Sequence, residues 1–85
     1  MSYEVFILKR AQRELSHLPI EEYKRVKEAI RNFRENPRPR GVKKLVGRGG
    51  WRIRVGNFRV IYEIDEGQKT VTVLHVGHRR DVYER

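Results

Sequence analysis

Eighty-five residues, 38% of them apolar, leave room for one domain with one small core. The lack of cysteine excludes disulfide staples and cysteine-ligated metal, and no apolar run approaches the ~20 residues of a membrane-spanning helix. A formal charge of +9 points to polyanionic partners, nucleic acid or ribosome ahead of an anionic membrane, because no stretch is basic on one face and strongly apolar on the other.

Tyr3-Glu4-Val5-Phe6-Ile7 is short, apolar and β-prone and predicts a first strand. Leu8 to His17 predicts a short helix with Leu8, Ala11, Leu15 and Leu18 on one face. Pro19 suits the first turn of a second helix, whose N-terminal dipole Glu21 and Glu22 complement. Ile20, Tyr23, Val26, Ile30 and Phe33 recur at helical spacing until Asn36-Pro37 stops the helix. The pair reads as an αα-hairpin laid on a sheet.

Pro37 to Gly41 reads as a loop, Val42 to Val46 as a short strand, and Gly47, Gly49 and Gly50 as a flexible turn. Trp51, Ile53 and Val55 alternate with Arg52 and Arg54, the period of a half-buried strand. Gly56-Asn57 is a tight hairpin turn. In the partner strand Phe58, Val60, Tyr62 and Ile64 alternate with Arg59, Ile61 and Glu63. Asp65 to Gln68 turns again, and Thr70 to Val76 is the last strand. With no repeat, linker or low-complexity segment, residues 1–85 are expected to form a single α+β domain: an N-terminal strand, an αα-hairpin, then an antiparallel β-meander, with the helices on one face of the sheet. No basic segment followed by an apolar one opens the chain, so a cytoplasmic protein without a signal peptide is expected.

Parity along the strands sorts the side chains. If Trp51, Ile53, Val55, Phe58, Val60 and Tyr62 face the helices, Arg52, Arg54 and Arg59 face the other way. In the last strand Leu74 and Val76 are the expected core residues, and Val73, His75, Gly77 and Arg79 the expected open face. The span from Asn36 to Tyr62 holds no Asp or Glu but carries Arg38, Arg40, Lys43, Lys44, Arg48, Arg52, Arg54 and Arg59. Beyond Gly77 come His78, Arg79, Arg80 and Asp81, with Tyr83 within reach.

Arginine offers a rigid fork of donors to phosphate oxygens. Several together can hold an RNA backbone and stabilise the extra charge of a phosphorane-like transition state. Tyr83 adds a ring that can stack on a base and a hydroxyl that can move a proton, and His75 and His78 titrate in the neutral range as a residue type. This is the equipment of a ribonuclease that turns the 2′-OH of RNA against its own phosphodiester. Plainer roles exist for each part. Strand arginines are often the wet side of a sheet, Arg80 reads as a solvated tail charge or a partner of Asp81, Tyr83 fits a C-terminal anchor, and Trp51 reads as core. Gly47-Arg48-Gly49-Gly50 lacks the Gly-Lys-Ser/Thr of a phosphate loop. The histidines lack metal-ligand spacing, so neither metal nor cofactor is expected.

Five segments together carry a family resemblance: Tyr3-Glu-Val-Phe-Ile, Leu18-Pro19, Lys44-Leu-Val-Gly47, Trp51-Arg-Ile-Arg-Val-Gly-Asn-Phe-Arg-Val-Ile-Tyr62, and Val76-Gly-His-Arg-Arg-Asp-Val-Tyr83. The chain resembles the RelE/ParE superfamily of toxins from toxin–antitoxin modules, on its RelE-like branch. The resemblance implies a RelE-like fold and a ribosome-dependent, metal-independent endoribonuclease that cuts mRNA in the ribosomal A site. It implies as partners the ribosome, mRNA and a RelB-like antitoxin that wraps the toxin. By carry-over Arg59 and Arg79 clamp the scissile phosphate, Tyr83 stacks on or protonates near the cut nucleotide, and Arg52 and Arg54 complete the catalytic set. Lys43, Lys44, Arg48, His78 and Arg80 are the further candidates for RNA contact. Lysines are usual where this chain has Arg52 and Arg54. Arginine does not give up its proton, so these two read as electrostatic, and the general base stays open among Tyr83, His78 and His75. The alternative within the superfamily is a ParE-like inhibitor that binds DNA gyrase without catalysis.

Overall fold

Apolar periodicity builds two helices and five strands. In the computed structural model, which describes residues 2–47 and 49–78, these are β1 (Glu4–Ile7), α1 (Lys9–Ser16), α2 (Ile20–Asn32), β2 (Lys43–Lys44), β3 (Gly50–Val55), β4 (Phe58–Asp65) and β5 (Thr70–His78). The sheet order is β1-β5-β4-β3-β2. The meander β2–β5 is antiparallel, as its short turns require. β1 joins it in parallel, Val5 beside Val71 and Ile7 beside Val73, so the sheet is mixed. The helical hairpin is the crossover that a parallel neighbour needs.

The helices seal one face. Ala11 and Leu15 of α1, Val26 and Ile30 of α2, and Phe33 just after it pack against Val60, Tyr62, Val71, Val73 and Val76. Phe33 and Tyr62 stack with ring centroids 4.1 Å apart. The Tyr62 hydroxyl, fully enclosed, donates to the Pro37 carbonyl at 2.7 Å and ties the loop after α2 to the sheet. Burial pushes this phenol up, outweighing the nearby Arg38 cation, so it stays a donor.

Some expected core residues stay outside. Leu8 precedes α1 in extended backbone, and Ile20 is the first residue of α2. A helical side chain covers the turn before its own Cα, and at these positions no such turn exists. Leu8 is 45% exposed and Ile20 62%. Pro19 lies one residue before the helix and caps it through its carbonyl, which accepts from Tyr23 N–H at 2.8 Å.

The parity of β5 is the larger correction. The β4–β5 register moves from Ile61 opposite His75 to Tyr62 opposite Val73, with an irregularity between Ile61 and Tyr62. The ladder skips Leu74, one extra residue on β5, which is a β-bulge. Val73, expected on the open face, is therefore fully buried in the core. Leu74, expected in the core, packs on the opposite face with Leu45 and Ile61. Past the bulge the expected parity returns: Val76 is in the core, and His75 and Gly77 lie beside Ile61 and Arg59.

Removing the Tyr62 hydroxyl leaves the Pro37 carbonyl without its donor. Tyr62→Phe is expected to lose about 1–2 kcal/mol in urea unfolding; an unchanged midpoint would show that this bond does not hold the loop.

Candidate functional site

The second face of the sheet carries the cations. Residues opposite each other in an antiparallel ladder point to the same side. Lys43 lies opposite Arg52, and Arg54 opposite Arg59. The hairpin between β3 and β4 sets this register through Gly56, whose φ of 61° suits a two-residue turn with glycine first. Arg59 in turn lies opposite Gly77, which puts no side chain over it. Lys43, Arg52, Arg54 and Arg59 line one hollow with Gly41, with a volume of about 270 Å³. Arg54 is exposed and Arg52 and Arg59 are half-buried. The Nε atoms of the latter two are shielded from solvent, so their stems lie along the sheet.

Two like-charged pairs sit directly across a ladder here, an arrangement that destabilises a sheet. A polyanion placed over them converts repulsion into attraction, and each guanidinium offers paired donors to phosphate oxygens. Chemically the hollow can bind a phosphodiester and stabilise added charge on it.

Other predicted residues go elsewhere. Lys44 is opposite Trp51, not beside the arginines. Its ammonium and the Arg38 guanidinium lie 5.7 and 5.0 Å from the Trp51 ring, which packs against the core. Arg38 also pairs with Glu66. The register puts His78 opposite Phe58, on the helix side, with the two rings edge to face at 5.6 Å. Arg48, Arg79, Arg80 and Tyr83 lie outside the described residues.

His75 is on the arginine face but already engaged. Its Nδ1 is 2.9 Å from Glu14 Oε1, and Arg10 Nη2 is 2.9 Å from its Nε2. Arginine only donates, so in this contact Nε2 accepts and Nδ1 faces the Glu14 carboxylate as donor. The lone pair a base would use is thus taken. Glu14 went unnoticed in the sequence. β1 accompanies β5 only as far as Val73; beyond it, Glu14 Oε1 accepts the Val76 N–H at 2.7 Å. A helix carboxylate thereby stands in for the missing strand. The Arg10–Glu14 spacing of four hints at an ion pair, but nothing local tells that the pair meets a strand edge. Partial burial works to raise the Glu14 carboxyl, yet the Val76 N–H, His75 and Arg10 outweigh it and hold it below its ordinary value.

Comparison with known proteins matches this geometry to a family. The profile described as the ParE toxin of the type II toxin–antitoxin system parDE matches residues 5–83. The chain belongs to the RelE/ParE superfamily of toxins. It is 31% identical to RelE1 of Methanocaldococcus jannaschii over 99% of this chain and 98% of that one. Among solved structures, the archaeal RelE–RelB complex of Pyrococcus horikoshii superposes with a TM-score of 0.84 at 33% identity, covering 96% of this chain and all of that one. The toxin–antitoxin complex RelBE2 of Mycobacterium tuberculosis gives 0.82 at 32%, covering 93% and 100%. The chain is thus a RelE-like toxin of a type II module, and these relatives share its two helices on a mixed five-stranded sheet.

The Glu14 carboxyl is depressed on folding, so its contribution is present above its unfolded value and lost as pH falls through the lower folded value. Glu14→Ala is expected to cost about 1–3 kcal/mol at pH 7, because Val76 N–H loses its acceptor. The gap from wild type, followed by urea unfolding, should narrow below about pH 4.5. A gap that is constant down to pH 3 would contradict this role.

Proposed function

We propose that this toxin is a ribosome-dependent endoribonuclease that cuts mRNA in the A site. The observation that carries the reading is the co-facial cluster Lys43, Arg52, Arg54 and Arg59, four cations that line one hollow on the sheet. In the reaction the 2′-oxygen attacks the adjacent phosphorus and gives up its proton. The bond to the 5′-oxygen breaks, and that oxygen takes a proton on leaving. The products are a 2′,3′-cyclic phosphate and a 5′-hydroxyl. Arg59, with Arg79 by the family resemblance, holds the phosphate and stabilises its added charge; Arg52 and Arg54 lower the energy of the same state.

Arg52 and Arg54 cannot act as bases. His75 has its acceptor nitrogen on Arg10, and His78 is turned to the helix side. Proton transfer therefore falls to the Tyr83 phenol. A site rich in charge and poor in bases gains most from a partner that orients the 2′-OH, and positioning of that kind supplies several kcal/mol. This supports dependence on the ribosome. Solved relatives contain RelB antitoxins, and the basic face favours a cognate antitoxin whose acidic segment orders as it wraps this chain. The ParE description of the matching profile favours a second reading, gyrase inhibition by binding alone.

Primer extension separates the two. Ribosome-bound mRNA should be cut efficiently without added metal, and naked RNA poorly; uncut mRNA with inhibited gyrase would select the second reading. Arg59→Ala should slow single-turnover cleavage by at least about 10²-fold. Arg54→Thr should also slow it while gaining roughly 0.5 kcal/mol of stability, because it ends one like-charge pair. A faster or unchanged rate in both variants would remove the cluster from the chemistry.

A further inference from the structure

One row of the ladder crosses four strands as Lys43–Arg52–Ile61–His75. At Ile61 it changes from cationic to apolar. There a second hollow of about 230 Å³ opens, floored by Leu45, Ile61 and Leu74 and rimmed by Arg10, His75 and Glu63. Leu45 is only 4% exposed and Ile61 6%, although neither helix of the described residues covers this face. Gly50 leaves room at the floor: a Cβ there would come within 3.1 Å of the Leu45 side chain, which would have to shift by a few tenths of an ångström.

The size is informative. Sites for drug-sized ligands run to ~300–1,000 Å³, so this hollow suits a single ring system. An apolar floor with a polar rim of both signs fits a flat heterocycle, whose face meets the aliphatic carbons and whose edge meets donors and acceptors. Ile61 and Arg52 are ladder partners about 5 Å apart, so a phosphate over the arginines and a base over Ile61 belong to one stretch of the same strand. An apolar side chain from a protein partner would fill the floor but leave the Glu63 carboxylate without a donor.

We infer that the hollow over Leu45, Ile61 and Leu74 receives one nucleobase of the RNA whose backbone the adjacent arginines hold, with Glu63 reading the base edge. This rests on the RNA reading above. A carboxylate accepts from an exocyclic amino group, as acidic side chains do from cytosine, so amino-bearing bases are favoured over uracil.

The test uses 2′-O-methyl trinucleotides, which lack the attacking hydroxyl and bind without being cut. Each carries one central base, A, C, G or U, between abasic flanks, and a fully abasic trimer is the reference. They are titrated into the full chain with ¹³C-methyl-labelled Ile and Leu. The inference expects the A, C and G probes to bind about tenfold or more tighter than the abasic trimer, with the Ile61, Leu45 and Leu74 methyls shifting. It also expects Glu63→Gln to shrink the preference over U. An abasic trimer that binds as tightly, with silent methyls, overturns the base site and leaves the phosphate-binding reading standing. Methyls that move with an antitoxin peptide but with no base assign the hollow to protein and overturn it too. A preference over U that survives in Glu63→Gln overturns the reading role of Glu63. If no trimer binds at low salt, the abasic one included, the RNA reading falls and this inference with it.

Discussion

Helices of 8 and 13 residues can cover one face of a five-stranded sheet and not both. That limit organises the molecule. On the sealed face the Phe33–Tyr62 stack and four sheet valines meet the apolar stripes of α1 and α2. Among the described residues no helix covers the other face, and strand alternation delivers to it whatever lies between the core residues. In β3 and β4 those residues are Arg52, Arg54, Arg59, Ile61 and Glu63. The cationic surface is the remainder of the core pattern, so the two cannot be changed independently: shifting either strand by one residue would bury the arginines.

The charge distribution costs stability that a domain of this size has little of. Cations directly across a ladder repel, and Glu66 is engaged with Tyr3, Arg38 and Lys69 at the far end of β4. Elsewhere the sheet is secured at its edges. Tyr62 fixes the loop that leads to β2, and Glu14 completes the edge of β5 where β1 runs out. The same Glu14 holds His75, so one helix carboxylate both completes the strand edge and engages the histidine beside it.

How much of this was legible in the sequence depended on how local the signal was. The co-facial arginines of β3 and β4 follow from period-two alternation around a two-residue Gly56-Asn57 turn, and the αα-hairpin from the spacing of Ala11, Leu15, Val26, Ile30 and Phe33. What failed was non-local. The bulge opposite Ile61 and Tyr62 has no signature in Val73-Leu74-His75, all of which suit a strand, yet it exchanges the faces of Val73 and Leu74. The same exchange carries Leu74 to the bare face and completes the apolar floor there. Parallel pairing of β1 with β5 joins residues 66 apart, and no local pattern announces it. His78 was grouped with the cations of the tail, whereas strand continuation turns it toward Phe58. Glu14 went unnoticed because its partners are on β5.

The central claim is that the bare face of the sheet is the surface that meets RNA. Photo-crosslinking reads it most directly. With 4-thiouridine in the A-site codon of stalled ribosomes, this account predicts adducts in the peptides that carry Lys43, Arg52, Arg54 and Arg59. Adducts confined to α1 and α2, with none on β2, β3 or β4, would contradict it.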